Sequence, residues 1–252
     1  FIFNGKLLKP ESGIIGANSR GLRFGDGLFE TMKSINGQLE FIDEHFARLW
    51  KGMQVLQFAI PKQFTPDILE QEIQSLLKKN GHGKMARVRL TVFRGDGGLY
   101  DTTDHKPNYL LQSWALPDET GSWNSNGLVL GVYTDIKKSC DILSNLKHNN
   151  FLPYVMAALH AKKEKWNDAV LLNTGGRLCD TTNANIFLIK DEVIYTPALA
   201  EGCIAGVMRR NLVEKLTAGG YKLVEDKLSV DELLYADEVF LTNSIYNMRW
   251  VQ

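Results

Sequence analysis

Two Asn-Gly dipeptides, Asn4-Gly5 and Asn36-Gly37, each lie between short apolar runs, the strongest local signal for a two-residue β-hairpin. A chain that folds back on itself this way builds antiparallel sheet rather than the regular strand–helix–strand alternation of an α/β fold. Helical patterning is inserted between the hairpins. Asp43 can cap a helix from Glu44 through about Leu56, which Pro61 keeps from continuing, and Pro66 to Lys79 repeats the signature before Asn80-Gly81 closes it. Met85 to Phe93 and Asn108 to Ala115 alternate as strands. The polar, turn-rich stretch from Pro117 to Gly127 then divides the chain. The expected organisation is an N-terminal domain over 1–117, a linker over 118–127 and a C-terminal domain over 128–252.

Beyond the linker, strands are expected at Leu128–Tyr133, Ala169–Asn173, Ala184–Lys190, Val193–Thr196 and Val239–Thr242. Helices are expected at Phe151–Lys165, with Pro153 tolerated in its first turn, and at Val207–Ala218, closed by Gly219-Gly220. The class is α+β.

The 29 basic and 29 acidic residues cancel, and no basic run stands out, so neither nucleic acid nor an acidic membrane is an expected partner. A small molecule met in a pocket is. Cys140, Cys179 and Cys203 are too widely spaced for a CxxC metal clip and too few for a disulfide framework; buried reduced thiols and no metal are expected. Phe1 to Pro10 carries Lys6 and Lys9 among few apolar residues, unlike a signal peptide, and no stretch approaches the ~20 apolar residues of a membrane helix. The expectation is a soluble, cytoplasmic protein.

Several segments carry reactive residue types. Lys147, in Ser144-Asn-Leu-Lys-His-Asn-Asn150, lies between strand and helix and is compatible with a nucleophilic amine or with a solvated loop lysine. Asp180 opens Asp-Thr-Thr-Asn-Ala-Asn185-Ile-Phe187, where it either pairs with a cation or protonated ring nitrogen or caps a turn. The glycine-flanked run from Gly202 through Gly206-Val-Met-Arg209 aims helix N-terminal N–H groups at any nearby phosphate. Arg48 offers a bidentate partner for the same anion, or an exposed helix arginine. The glycines of Arg20-Gly-Leu-Arg-Phe-Gly25-Asp-Gly27-Leu-Phe-Glu30-Thr31 precede a strand, which excludes both the dinucleotide fingerprint and a Walker loop. They predict a tight turn where backbone approaches something closely.

In order and spacing, RGLRFGDGLFETM, HFARL, SNLKHNNFLPYVMA, DTTNANIFLIKDEVIYTP, GVMRR and ADEVFLTNS resemble the motifs of the class IV aminotransferase family. This is the pyridoxal 5'-phosphate (PLP) fold-type IV group of branched-chain and D-amino-acid aminotransferases and aminodeoxychorismate lyase. The resemblance implies a small N-terminal α/β domain, a larger C-terminal β-barrel-like domain, PLP in the cleft between them, and a homodimer. It implies that Lys147 forms the Schiff base with PLP and shuttles protons at the substrate. Arg48, the N–H groups of Val207 and Met208, and the hydroxyl of Ser244, where relatives often carry threonine, would hold the phosphate. Asp180 stands where the family usually has glutamate, the carboxylate facing the ring nitrogen, and Asn185 and Phe187 would support the cofactor site. Phe29, Glu30 and Arg94 would line the substrate side.

Within the family, the stretch Arg94-Gly-Asp-Gly-Gly-Leu-Tyr100-Asp-Thr-Thr lacks the Arg-His pair of the D-amino-acid branch and resembles the glycine-rich version of aminodeoxychorismate lyases. The compact chain and the Gly206-Val-Met-Arg209 turn point the same way. The first expectation is therefore a lyase-like enzyme converting 4-amino-4-deoxychorismate to 4-aminobenzoate and pyruvate. An amino-acid aminotransferase, branched-chain or D-amino-acid type, is the alternative, and a non-catalytic PLP-binding protein the third.

Overall fold

The computed structural model describes residues 1–100 and 104–252. Asp101, Thr102 and Thr103, the end of the glycine-rich stretch used to place the branch, lie outside the described residues. The chain forms two compact units: Phe1–Thr120 with Lys147–Asn150, and Gly121–Leu146 with Phe151–Gln252.

The first unit contains β1 (Ile2–Phe3), β2 (Lys6–Leu7), α1 (Arg20–Phe24), β3 (Gly27–Ile35), β4 (Gln38–Leu39), α2 (Ile42–Val55), α3 (Pro66–Lys79), β5 (Met85–Arg94) and β6 (Pro107–Ala115). The strands form one sheet in the order β2-β1-β6-β5-β3-β4, every neighbouring pair antiparallel. Both Asn-Gly turns form, with positive φ at Asn4, Gly5, Asn36 and Gly37, the conformation a type I′ hairpin demands. Helix α3 starts as the sequence dictates: Thr65 Oγ1 accepts from the Ile68 N–H, and Pro66 fills the first turn, where no N–H is missed. Helix α2 begins earlier than its expected Asp43 cap, with Phe41 in the left-handed region, so Asp43 and Glu44 instead place their charge in the first turn. Helix α2 packs on β3 and α3 on β6. Met32, Leu49, Met53, Leu69, Ile73, Leu76, Val88, Leu90 and Leu111 are all buried.

The second unit contains β7 (Leu130–Lys138), α4 (Leu152–Glu164), β8 (Asp168–Asn173), β9 (Leu178–Thr181), β10 (Asn185–Lys190), β11 (Val193–Pro197), α5 (Val207–Ala218), β12 (Leu223–Asp226), α6 (Val230–Leu234), β13 (Glu238–Asn243) and β14 (Asn247–Val251). They form two sheets, β12-β11-β10-β13-β14 and β7-β8-β9. Parallel pairing occurs only at β7–β8 and β11–β12 among the described ladders.

The expected fold needs correction here: the C-terminal part is a mixed-sheet domain and not a closed barrel, and the two units are of similar length. Closure needs a continuous ladder around the sheet. Among the described residues a single bridge, Leu128 to Val251, joins the β7 and β14 sides, and the chain between β9 and β10 turns at Thr181–Ala184 instead of pairing along its length. Breaks of register between Tyr133 and Lys137 and between Leu171 and Leu172 bend the short sheet further. The apolar core is divided in consequence. Val170, Leu172, Leu178, Ile186, Leu188, Leu228 and Leu241 fill one cluster, while Ala157 and Ala161 of α4 pack with Tyr133, Ala169 and Leu171 in another.

Candidate active site

The glycine-rich motif explains how Lys147 is held. Along β3, Gly27 O accepts from the Asn149 N–H at 2.9 Å, the Phe29 N–H donates to Lys147 O at 2.8 Å, and Leu28 forms an antiparallel bridge with His148. The 147–150 segment thus lies against β3 as a short extra strand. A Cβ at Gly27 would collide with Val92 O and the Asn149 side chain, so only glycine admits this approach. Gly25, with φ 64°, closes α1, and a Cβ there would press on the Asn150 side chain. The predicted close approach is real, and its objects are the β5 backbone at Val92 and Phe93 and the Asn149 side chain of the segment carrying Lys147. The Lys147 amine stands over the Phe29 ring at 4.6 Å, and the Arg89 guanidinium lies over the same ring at 3.8 Å.

Arg48 and Glu30 meet. Arg48 Nε donates to Glu30 Oε1 at 2.8 Å and Nη2 to Oε2 at 2.5 Å, while His45 Nδ1 lies 2.7 Å from Oε2. Burial alone would raise the Glu30 carboxyl, but the Arg48 charge and the hydrogen bonds from His45 and Arg48 outweigh it and hold the group at about 2. Glu30 therefore orients Arg48 through charge-assisted hydrogen bonds to both carboxylate oxygens. Arg94, buried, donates from Nη1 to both Asp26 oxygens at 3.2 Å, and Arg20 Nε reaches Asp26 Oδ2 at 2.9 Å.

In the second unit, Asp180 is set on β9 by its neighbours in sequence. Thr181 Oγ1 and Thr182 Oγ1 donate to the buried Asp168 at 2.7 and 2.6 Å, which anchors the Asp-Thr-Thr run. The Asp180 carboxylate points into a buried polar cluster. Its Oδ2 accepts from Lys138 Nζ at 3.1 Å, Tyr154 OH at 3.0 Å and the Ile204 N–H at 2.9 Å, and its Oδ1 accepts from Lys138 at 3.2 Å. Lys138 also donates to the Tyr154 oxygen. Burial and the nearby Asp180 charge push the Tyr154 phenol well upward, so it keeps its proton and remains a donor. Burial, with the same Asp180 charge, raises the Cys203 thiol to about 12 and the Cys179 thiol as well, leaving both unreactive. Cys140 departs from the expected burial and is exposed.

The loop entering α5 is braced by Asn185, whose Nδ2 donates to Ile204 O at 2.9 Å. A Cβ at Gly206 would run into Asn185 Oδ1, so this glycine is a packing requirement. The N–H groups of Val207 and Met208 open α5 and have no acceptor within the helix. On β13, directly opposite Asn185, Thr242 is buried and its hydroxyl makes no hydrogen bond among the described residues. Ser244 sits in the turn after β13, where Asn243 Oδ1 accepts from the N–H groups of Ile245 and Tyr246 at 3.0 and 2.9 Å. Phe187 is a core residue stacked on Phe240. An idle helix N-terminus, an orphaned buried hydroxyl and a glycine-lined approach suit an oxyanion such as a phosphate monoester.

Sequence reasoning missed Lys138, Tyr154 and Thr242. Strand alternation carried a faint signal for the first, since one of two adjacent lysines in a strand must face inward. Among the described residues, no cluster of His, Cys, Asp and Glu is arranged to hold a metal ion, and no helix is long and apolar enough to cross a membrane.

The family profile described as "Amino-transferase class IV" matches residues 27–252. The chain is 32% identical over 228 residues to an aminodeoxychorismate lyase of Vibrio harveyi, covering 90% of this chain and 82% of that protein. It is 27% identical over 256 residues to a D-alanine aminotransferase of Bacillus licheniformis, covering 96% and 84%. A crystal structure of 4-amino-4-deoxychorismate lyase from Pseudomonas aeruginosa superimposes with a TM-score of 0.84 at 27% identity, covering all of this chain and 90% of that one.

Proposed function

Because the chain belongs to the class IV aminotransferase family, and is thereby a PLP-dependent enzyme of fold type IV, we propose that it cleaves 4-amino-4-deoxychorismate to 4-aminobenzoate and pyruvate. The observation that carries the proposal is the pinning of the Lys147–Asn149 backbone, with Lys147 O accepting from the Phe29 N–H and the Asn149 N–H donating to Gly27 O, which holds the lysine's backbone against a rigid strand. A solvated loop lysine has no need of such a frame. When bound, PLP supplies an aldehyde for an amino group and an aromatic ring that withdraws electrons from the bonds next to that nitrogen.

The rest of the chemistry belongs to the chain's own residues. Lys147 removes the proton from the carbon bearing the substrate amine and returns a proton as the enolpyruvyl group departs as pyruvate. The two products account for all the atoms of the substrate. Arg48, oriented by Glu30, together with the Val207 and Met208 N–H groups and the Ser244 hydroxyl, binds the phosphate. Asp180 would be the carboxylate serving the ring nitrogen, and Asn185 holds the loop before α5 in place. Phe29 and Arg94 shape the substrate side.

Two observations favour the lyase over an amino-acid aminotransferase: the glycine-rich sequence from Arg94 to Tyr100 without the Arg-His pair, and the 32% identity to a lyase. The test is to incubate purified protein with aminodeoxychorismate and follow pyruvate and 4-aminobenzoate together. Equal release of both is expected. No pyruvate, alongside conversion of bound PLP to its amine form by an amino acid, makes the protein a transaminase. A homodimer is proposed as well, supported by an apolar stripe on α4: Leu152, Val155, Met156 and Leu159 are exposed at helix spacing, while Tyr154, Ala157 and Ala161 face the core.

A further inference from the structure

The buried cluster around Asp180 contains more than the site as described requires. Lys138 is only 8% exposed, Asp180 2% and Tyr154 5%. Placing an ammonium there strips it of hydration, which pairing only partly offsets. The strand is deformed to achieve it. The β7–β8 register breaks between Tyr133 and Lys137, and the following residues resume pairing with Lys138 turned inward and Lys137 exposed. Holding Asp180 in place does not call for this charge, because Tyr154 OH and the Ile204 N–H already secure Oδ2. Lys138, by contrast, reaches both oxygens, and it is the sole hydrogen-bond donor to Oδ1 among the described residues.

A carboxylate facing a pyridine nitrogen stabilises the protonated ring because its negative charge is uncompensated. Here the carboxylate and the ammonium form a neutral pair, and adding a pyridinium leaves one net positive charge in a buried site. The other groups facing Asp180 do not restore the balance. Tyr154 keeps its proton, Cys179 and Cys203 stay neutral, and Arg209, which adds positive charge near Cys203, donates to Glu225 and to Pro197 O.

Resting on the PLP assignment above, we propose that Lys138 is a positioning residue that acts through Asp180 to keep the cofactor's ring nitrogen unprotonated at neutral pH. The protein thereby runs with a moderated electron sink, and Lys147 carries correspondingly more of the proton transfer.

The test uses holoprotein loaded with PLP labelled with 15N in the ring, its chemical shift followed from pH 5 to 10. The parent's ring nitrogen is expected to titrate with a midpoint below pH 7; a midpoint at or above pH 7 overturns the proposal. Lys138→Met is expected to raise the midpoint by roughly one to three units, the effect of removing a unit charge at close range. Lys138→Arg, which keeps the charge, is expected to restore the parent value. An unchanged midpoint in a folded Lys138→Met protein also overturns the proposal, since a merely structural lysine would leave the ring untouched. Should Lys138→Met fail to fold, the parent's midpoint alone decides. Borohydride reduction distinguishes the underlying assignment: a parent chain that cannot be linked to PLP at Lys147 refutes both, whereas linkage with a high midpoint refutes only the role of Lys138.

Discussion

Glu30 shows how a single residue can look like substrate contact in sequence and act as scaffold in the fold. It is fully enclosed by Arg48 and His45, and its carboxyl sits at about 2 against an ordinary 4.5. A folded value below the unfolded one means that the stabilisation is complete above about pH 4.5 and is lost as pH falls towards 2. Glu30→Gln should therefore destabilise the protein at pH 7 by about 3 kcal/mol, the free energy of a shift of this size. The gap between variant and parent should close between pH 4.5 and 2 in urea titrations. A gap that stays constant with pH would mean the carboxylate is not what matters. Thr242 makes the opposite prediction. Its hydroxyl is buried without a partner, so the isosteric Thr242→Val should leave the PLP-free protein as stable as the parent or more so. If the hydroxyl serves the phosphate, the same change should weaken PLP binding about tenfold, the worth of one hydrogen bond to a charged group, as read by fluorescence titration.

At the scale of elements, the decisive feature is that residues 147–150 pair with β3 across a long stretch of sequence. The glycines at 25 and 27 announced a close approach but could not say to what, because a missing Cβ records only that space is needed. Gly27→Ala puts a methyl group against Val92 O and Asn149 Nδ2, and backbone cannot rotate away as a side chain does. It should cost about 2–3 kcal/mol in stability and abolish borohydride-fixed PLP at Lys147, read by mass spectrometry. Normal labelling in the variant would show that the pairing with β3 does not position the lysine. Helix α3 and the Asn-Gly hairpins were legible because caps and turns are decided within a few residues. The extent of β7 was not, since its expected end at Tyr133 marks a break in register that only the partner strand β8 defines.

For the whole molecule, the barrel expectation failed where long-range pairing decides. Whether β7 and β14 zip together or touch at one bridge depends on the bend of both sheets, and no local pattern encodes that sum. The α4 stripe bears on assembly. Leu152 and Leu159 are 68% and 57% exposed, large apolar groups at a spacing that a monomer has little reason to present to water. Leu159→Glu should halve the mass measured by light scattering while leaving the far-UV circular dichroism unchanged. A variant that keeps the parent's mass would remove α4 from the interface.

Local chemistry in the sequence was enough to set the α+β class, the hairpin turns, the helix limits at Pro66 and Val207, and, through six ordered motifs, the family. These rest on backbone preferences and spacings that act over a few residues at a time. Packing alone decided the strand that fixes Lys147, the charge-neutral pair of Lys138 and Asp180, the orphaned Thr242 hydroxyl and the openness of the sheets. Each of these depends on which distant groups share a buried volume, where an unpaired charge or hydroxyl is expensive and a neighbour's position sets its meaning.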